Sequence, residues 1–219
     1  MATIEKPPAA EFAPDGFLLR GISWELYEQL REIRENWGVR MTYDQGNLEM
    51  MSPSVGHEDF AQLLGRMLEA FTEELNLPIR GLGAATWKDP NRQFGLEADR
   101  CYYVENEARV RHLKEIDLSR DPPPDLAIEV EATRTAIGKL PLYAALGVPE
   151  VWRCQQGVVS IYVLTSSRQY VPSEQSRNVP LLKPEELNRF LQSRAETDET
   201  SWIRSFRAWV REAFPAAEG

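Results

Sequence analysis

The pattern of apolar and polar residues predicts a helix near the start of the chain. Leu26, Leu30 and Ile33 recur at helical spacing, and Ser23, a residue that often caps helices, stands just before them. Gly38 is predicted to end this helix, since glycine readily closes a helix.

Four further helices are predicted. An amphipathic stretch at about 55–76 has a broad apolar stripe, a shorter helix covers 136–146 before Gly147, and two terminal helices cover about 184–194 and 199–213. The stripe of the long helix consists of Phe60, Leu63, Leu64, Met67, Leu68, Phe71 and Leu75.

The middle of the chain shows the shorter apolar runs and turn residues of β-strands. Two short strands are predicted within residues 39–51, in a hairpin around a turn at 44–47. Further strands are predicted at 79–87, 96–104, 125–132, 150–155, 158–164 and 169–172, with a loop at 88–95. Three prolines, 122–124, fix the start of the strand at 125, because proline cannot join a central ladder. Helices mixed with strands predict an α/β fold with a mixed sheet.

Composition limits the function classes. The 219 residues fit one domain, and we expect a cytoplasmic protein because we find neither an apolar run long enough to span a membrane nor a secretory signal. Cys101 and Cys154 lie in apolar runs and are predicted to be reduced core thiols. The net charge of −9 argues against a protein that coats nucleic acid nonspecifically, but not against a nuclease with a local basic patch.

The candidate chemistry lies in residues 125–132. Side chains alternate in a strand, so Asp125, Glu129 and Glu131 share one face, while the apolar residues between them share the other and are predicted to pack on a helix. A buried cluster of carboxylates is unfavourable unless something neutralises it, and Mg²⁺ typically binds a few carboxylates, waters and substrate phosphate. The alternative is a solvated face of an antiparallel sheet.

Two other residues extend this cluster. Asp99 supplies another carboxylate if its strand pairs with the acidic one, on a face that it shares with Glu97 and Cys101. Lys139, in the following helix, can return over the strand end and orient an attacking water, or it can be an ordinary surface lysine.

The order of GLEADRCYYV, DPPPDLAIEVEATRT and KLPLYAALGVPEVWR resembles the Uma-type family of proposed endonucleases, long catalogued as a domain of unknown function. The resemblance spans about residues 20–165, including MSPSVGHE. It implies a restriction-endonuclease-like fold of the PD-(D/E)XK superfamily, in which a central mixed sheet is flanked by helices. An N-terminal helix and hairpin and C-terminal helices complete the expected architecture.

The resemblance also assigns roles to residues. Asp99 corresponds to the first motif aspartate, with Ala98 in place of the usual proline, and Glu129 corresponds to the motif acid. Glu131 stands where lysine is usual, and the family's lysine comes instead from the next helix, at Lys139.

Four further residues are candidates for the site. Glu58 resembles the additional helical acid of such sites, and Asp125 is either a metal ligand or a turn-capping acid. His57 touches the site or simply starts a helix, and Tyr143 is either a core residue or a hydrogen-bond partner of the site.

The resulting hypothesis is a metal-dependent endonuclease that hydrolyses DNA phosphodiesters. Asp99, Glu129 and Asp125 would bind Mg²⁺ or Mn²⁺, and Glu58 and Lys139 would complete the catalytic site. The alternative is a catalytically silent nuclease-like scaffold that acts as a dimeric interaction or regulatory module. A homodimer is expected in either case.

We divide the chain into a flexible arm (1–16), a nuclease-like domain (17–172) and a helical extension packed on that domain (173–219).

Overall fold

The computed structural model of the protein describes residues 12–13, 16–131 and 135–215. Most of the predicted arm, residues 1–16, and the last residue of the predicted acidic strand, Ala132, lie outside this described part. The helices are α1 Trp24–Glu32, α2 Val55–Glu74, α3 Glu107–Val110, α4 Lys139–Leu146, α5 Pro184–Ser193 and α6 Glu199–Ala213. The strands are β1 Phe12–Ala13, β2 Gly16–Arg20, β3 Arg40–Asp44, β4 Asn47–Met51, β5 Arg80–Gly83, β6 Thr86–Asp89, β7 Phe94–Glu97, β8 Arg100–Tyr103, β9 Leu126–Glu131, β10 Glu150–Gln155, β11 Val158–Leu164 and β12 Tyr170–Ser173.

The strands form two sheets of six. The first has the order β1-β2-β4-β3-β7-β6, with every pairing antiparallel. The second has the order β12-β11-β10-β9-β8-β5 and is mixed, because β9 and β10 run parallel. Helix α4 connects this parallel pair, as a crossover must. The mixed α/β fold is therefore confirmed, and a second sheet joins the single sheet that was expected.

The chain passes between the sheets at two places that the sequence pattern concealed. The predicted strand at 79–87 is in fact β5 and β6, and the predicted strand at 96–104 is β7 and β8, with one member of each pair in either sheet. The breaks fall at residues 84–85 and 98–99, where the N–H of Ala98 donates to the carbonyl of Ala85 at 3.1 Å. The predicted loop at 88–95 is shorter than expected: residues 90–93 form the turn, while 88–89 and 94–95 belong to the strands of the β6–β7 hairpin.

The helices mostly follow the predictions. Ser23 caps α1 by accepting the N–H of Leu26 at 3.2 Å. This helix ends at Glu32 and not at Gly38, because Ile33 is extended and residues 34–36 form a separate 3₁₀ turn. Helix α4 begins at Lys139, three residues later than predicted, and Gly147 closes it with a left-handed φ of 84°.

The largest core cluster lies on one face of the second sheet. Leu126, Ile128 and Val130 of β9 are buried in it together with residues of α2, α5 and α6, which confirms that the apolar face of this strand packs on a helix. Cys101 and Cys154 are free and buried, as predicted. Among the described residues, no helix is both long and apolar enough to cross a membrane.

Candidate active site

Glu129 is the central carboxylate of the candidate site. It lies in β9 opposite Arg153 of β10, and only 3% of it is exposed. The acidic face of this strand is therefore not solvated at Glu129. A carboxylate buried to this degree needs charged or hydrogen-bonding partners.

Helix α4 supplies two of those partners. Lys139 Nζ donates to Glu129 Oε2 at 2.7 Å and to the carbonyl of Glu97 at 3.0 Å. The hydroxyl of Tyr143 donates to Glu129 Oε1. Lys139 and Tyr143 are four residues apart and so lie on one face of the helix. Both carboxylate oxygens of Glu129 thus accept hydrogen bonds from side chains of α4.

Asp99 lies where the chain leaves the first sheet for the second. Its Oδ2 accepts the N–H of Val130 at 2.7 Å and lies 3.2 Å from Nε2 of His57. Its Oδ1 is buried and has no hydrogen-bond partner. Oδ1 is therefore a carboxylate oxygen that accepts no hydrogen bond. Through its other oxygen, Asp99 contacts Val130, the residue that follows Glu129.

The charges in this group shift one another's pKa values. Burial raises the pKa of Glu129 to about 7, against the opposing effect of Lys139. Burial alone would raise the pKa of Asp99, but Lys139 and His57 together lower it. Burial alone would lower the pKa of Lys139, but the carboxylates of Glu129 and Asp99 raise it, so its amine is a cation at neutral pH.

His57, another candidate residue, reaches this group. It is the third residue of α2, is 2% exposed, and lies between Asp99 and Glu58, whose Oε1 is 3.7 Å from His57 Nδ1. Burial alone would lower the pKa of His57, but the contact with Asp99 and the nearby Glu58 raise it. Glu58 itself is half exposed and pairs with Arg40 at 3.3 Å.

Two of the predicted acids lie apart from this group. Asp125 accepts the N–H groups of Val104 and Asn106, each at 2.8 Å, and so ties down the segment after β8. It is four strand positions from Glu129, roughly 13 Å along the chain. Glu131 forms a two-pronged ion pair with Arg153, at 2.8 and 2.7 Å.

Sequence reasoning missed a carboxylate that holds the start of α4. Glu49 of β4 accepts the N–H of Ala136 at 2.7 Å and the N–H of Ile137 at 3.1 Å. These groups lie just before Lys139, and Gly138, the helix cap, offers no side chain of its own. Glu49 therefore links the first sheet to the helix that carries Lys139.

A metal ion would find two carboxylates here. No group of three or more His, Cys, Asp or Glu side chains in the described ranges is arranged to hold a metal ion. Mg²⁺ needs fewer, since it commonly binds one or two carboxylates and fills its other positions with water and substrate phosphate. The partnerless Oδ1 of Asp99 and the neighbouring Glu129 meet that smaller requirement.

Comparison with solved structures places the fold among nuclease-like proteins. The chain is similar to the crystal structure of "a putative nuclease belonging to DUF820" from Anabaena variabilis, with a TM-score of 0.52 and 15% identity. The similarity covers 78% of this chain and 99% of that one. At this identity it establishes the fold alone.

Sequence comparison gives the family. Residues 24–194 match the family described as "Uma2: Putative restriction endonuclease", and the chain belongs to this family. The resemblance seen in the sequence is thereby confirmed. No curated protein matches the chain.

Proposed function

We propose that the protein is a metal-dependent endonuclease that hydrolyses phosphodiester bonds of DNA at Asp99, Glu129 and Lys139. The observation that carries this proposal is the junction of β9 with α4, where Lys139 lies 2.7 Å from Glu129 and Asp99 presents an oxygen without a donor. Membership of the Uma2 family and the nuclease-like fold support the same reaction class.

Asp99 and Glu129 would hold the Mg²⁺ or Mn²⁺ ion. When bound, such an ion lowers the pKa of a water ligand and stabilises charge on the phosphate. Lys139, held as a cation by the two carboxylates, would orient the attacking water and stabilise the negative charge that develops on the phosphoryl oxygens. Tyr143 and the carbonyl of Glu97 fix the positions of Glu129 and Lys139.

The residues around Asp99, Glu129 and Lys139 have supporting roles. His57 would hold Asp99 in its charged form, because its ring lies 3.2 Å from Asp99 Oδ2. Glu58 is exposed enough to meet solvent and to pair with Arg40. We therefore assign Glu58 to the mouth of the site, and we leave Asp125 and Glu131 outside it because their oxygens bind other groups.

One observation favours the silent scaffold instead. Both oxygens of Glu129 are already bonded to Tyr143 and Lys139, as in a structural ion pair. Such a scaffold would keep the fold without cleaving DNA, and we expect a homodimer in either case.

A cleavage assay separates the two functions. Purified protein would be incubated with Mg²⁺ or Mn²⁺ and supercoiled, linear and single-stranded DNA, beside Glu129→Gln and the nearby control Glu131→Gln. We expect cleavage by the wild type and by Glu131→Gln, but none by Glu129→Gln. If every DNA form stays uncut by the wild type, and calorimetry detects no metal binding, the endonuclease proposal fails.

A further inference from the structure

A cleft of about 640 Å³ opens beside the candidate site. Its lining includes Arg31, Trp37, Arg40, Glu58 and Glu97. Glu97 connects the cleft to the site directly, because its carbonyl accepts the hydrogen bond from Lys139. Its size is that of a small-molecule site, which commonly measures roughly 300–1,000 Å³.

Trp37 is the unusual residue of this cleft. It is 71% exposed, while Trp87, Trp152 and Trp202 are at most 4% exposed. Its position is fixed by a turn in which the Trp37 N–H donates to the carbonyl of Arg34 at 3.1 Å. The guanidinium of Arg34 lies 5.6 Å from the ring centroid, on one side of the indole. An aromatic ring on a hydrogen-bonded turn is thus presented to solvent at the cleft.

Two arginines provide positive charge in the same cleft. Arg40 pairs with Glu58 at 3.3 Å, and Arg31 lies 3.5 Å from Glu97 while donating to Thr86. A nearby glutamate therefore partly neutralises each guanidinium. With two such arginines, the cleft can bind one or two phosphates. A long duplex needs more cations than this, since its affinity comes mainly from phosphate contacts.

We propose that this cleft binds an unpaired DNA nucleotide, with its base stacked on Trp37 and its phosphate at Arg31 and Arg40. This inference rests on the proposed function and names its substrate class, DNA with an unpaired segment at the cleavage point. Aromatic side chains stack on bases without regard to sequence, but in a duplex the faces of the bases already cover one another. Trp37 therefore selects an unpaired base.

The test measures binding without cleavage. Fluorescein-labelled (dT)₁₂ and a blunt duplex of twelve base pairs would be titrated with the protein in EDTA, and anisotropy would report affinity. We expect tighter binding of the single strand, and a loss of roughly fivefold or more in Trp37→Ala, because stacking on one base contributes ~1–3 kcal/mol. Trp37→Phe should recover part of the loss. Leu181→Ala, which removes an exposed apolar side chain that does not line the cleft, should bind like the wild type.

Salt dependence adds a second readout. The logarithm of the affinity for (dT)₁₂ should fall with the logarithm of salt concentration at a slope of about −0.7 per phosphate contacted, so a slope of roughly −1 is expected. Equal binding by Trp37→Ala and the wild type, or a preference for the duplex, would overturn the inference. Binding of (rU)₁₂ without binding of (dT)₁₂ would overturn it too.

The two proposals fail in different ways. Cleavage by the wild type together with unchanged binding by Trp37→Ala would remove the role of this cleft and leave the endonuclease intact. Binding that depends on Trp37, with no cleavage of any DNA in Mg²⁺ or Mn²⁺, would leave the nucleotide site and remove the endonuclease.

Discussion

Lys139 Nζ donates to Glu129 Oε2 at 2.7 Å, which joins the first residue of α4 to the middle of β9. Both side chains are nearly buried, at 11% and 4% exposed, so water screens the pair weakly. Breaking a buried pair by removing one partner commonly costs about 3–5 kcal/mol, because the other charge stays behind. The contact therefore fixes both the position of the lysine and its charge.

Lys139→Met tests the role of the cation. Methionine keeps most of the side-chain volume, and we expect cleavage to fall by about 10²–10⁴-fold, a range typical of lost acid–base or water-orienting groups. Single-turnover cleavage measures the rate, and circular dichroism confirms folding. The control is Lys88→Met, because Lys88 pairs with Glu28 at the surface. A rate for Lys139→Met within twofold of the wild type would contradict the assignment.

The sequence was sufficient for elements whose signals are local. Alternation in β9 separates Glu129 from the apolar residues that pack on α2, and Gly147 marks the end of the helix that carries Lys139. The β10–β11 hairpin over residues 156–157 falls where it was predicted.

Features that depend on contacts between residues far apart in the sequence could not be predicted from local patterns. The crossing between sheets at Ala98–Asp99 contains no proline or glycine. The crossing at Ala84–Ala85 follows Gly83, whose φ is 62°, but an isolated glycine in an apolar run does not by itself show that the chain changes sheets. Glu49 lies almost ninety positions from the N–H groups that it accepts, in a strand of ordinary composition. Strand parity groups Asp125 with Glu129, but parity carries no information on distance along the strand, and Asp125 precedes the first residue of β9.

Tyr143→Phe tests whether the hydroxyl on Glu129 contributes to function. Loss of a hydrogen bond to a charged group should reduce stability by about 1.5–3 kcal/mol and cleavage by about tenfold, because Glu129 becomes less fixed. Urea unfolding and cleavage rates are the measurements. Tyr170→Phe removes a hydroxyl that donates to the carbonyl of Val148 at 2.6 Å, away from Glu129, and should change stability alone. Equal losses of activity in the two variants would argue against a specific role for Tyr143.

Glu49→Gln tests the link between the first sheet and α4. The amide has one acceptor oxygen in place of two, so one of the N–H groups of Ala136 and Ile137 is left without a partner. We expect a loss of about 1–3 kcal/mol in stability and a fall in kcat with little change in KM, because Lys139 is displaced but substrate contacts remain. Glu69→Gln serves as the control, because the carboxylate of Glu69 accepts a hydrogen bond from the hydroxyl of Tyr102. This variant should change stability but leave kcat unchanged. An unchanged kcat in Glu49→Gln would show that the helix holds Lys139 without it.

Metal affinity should depend on pH because of Glu129. Its pKa is raised to about 7, so below this pH the folded protein carries a proton that a metal must displace. The apparent affinity for Mn²⁺ should therefore rise by up to tenfold per unit between pH 5.5 and 7 and level off above pH 7.5. Calorimetry in buffers of different ionisation enthalpy should show release of about one proton at pH 6 and almost none at pH 8.5. An affinity that is flat across this range would mean that Glu129 is not a ligand.

The central claim is that Asp99 and Glu129 together bind the metal that supports cleavage. Its most direct test is calorimetric titration of Asp99→Asn with Mn²⁺, with cleavage measured on the same samples and Glu131→Gln as the control. The account predicts that Asp99→Asn loses metal binding and cleavage together, while Glu131→Gln keeps both. Metal binding of wild-type strength in Asp99→Asn, or cleavage that persists in it, would contradict the account.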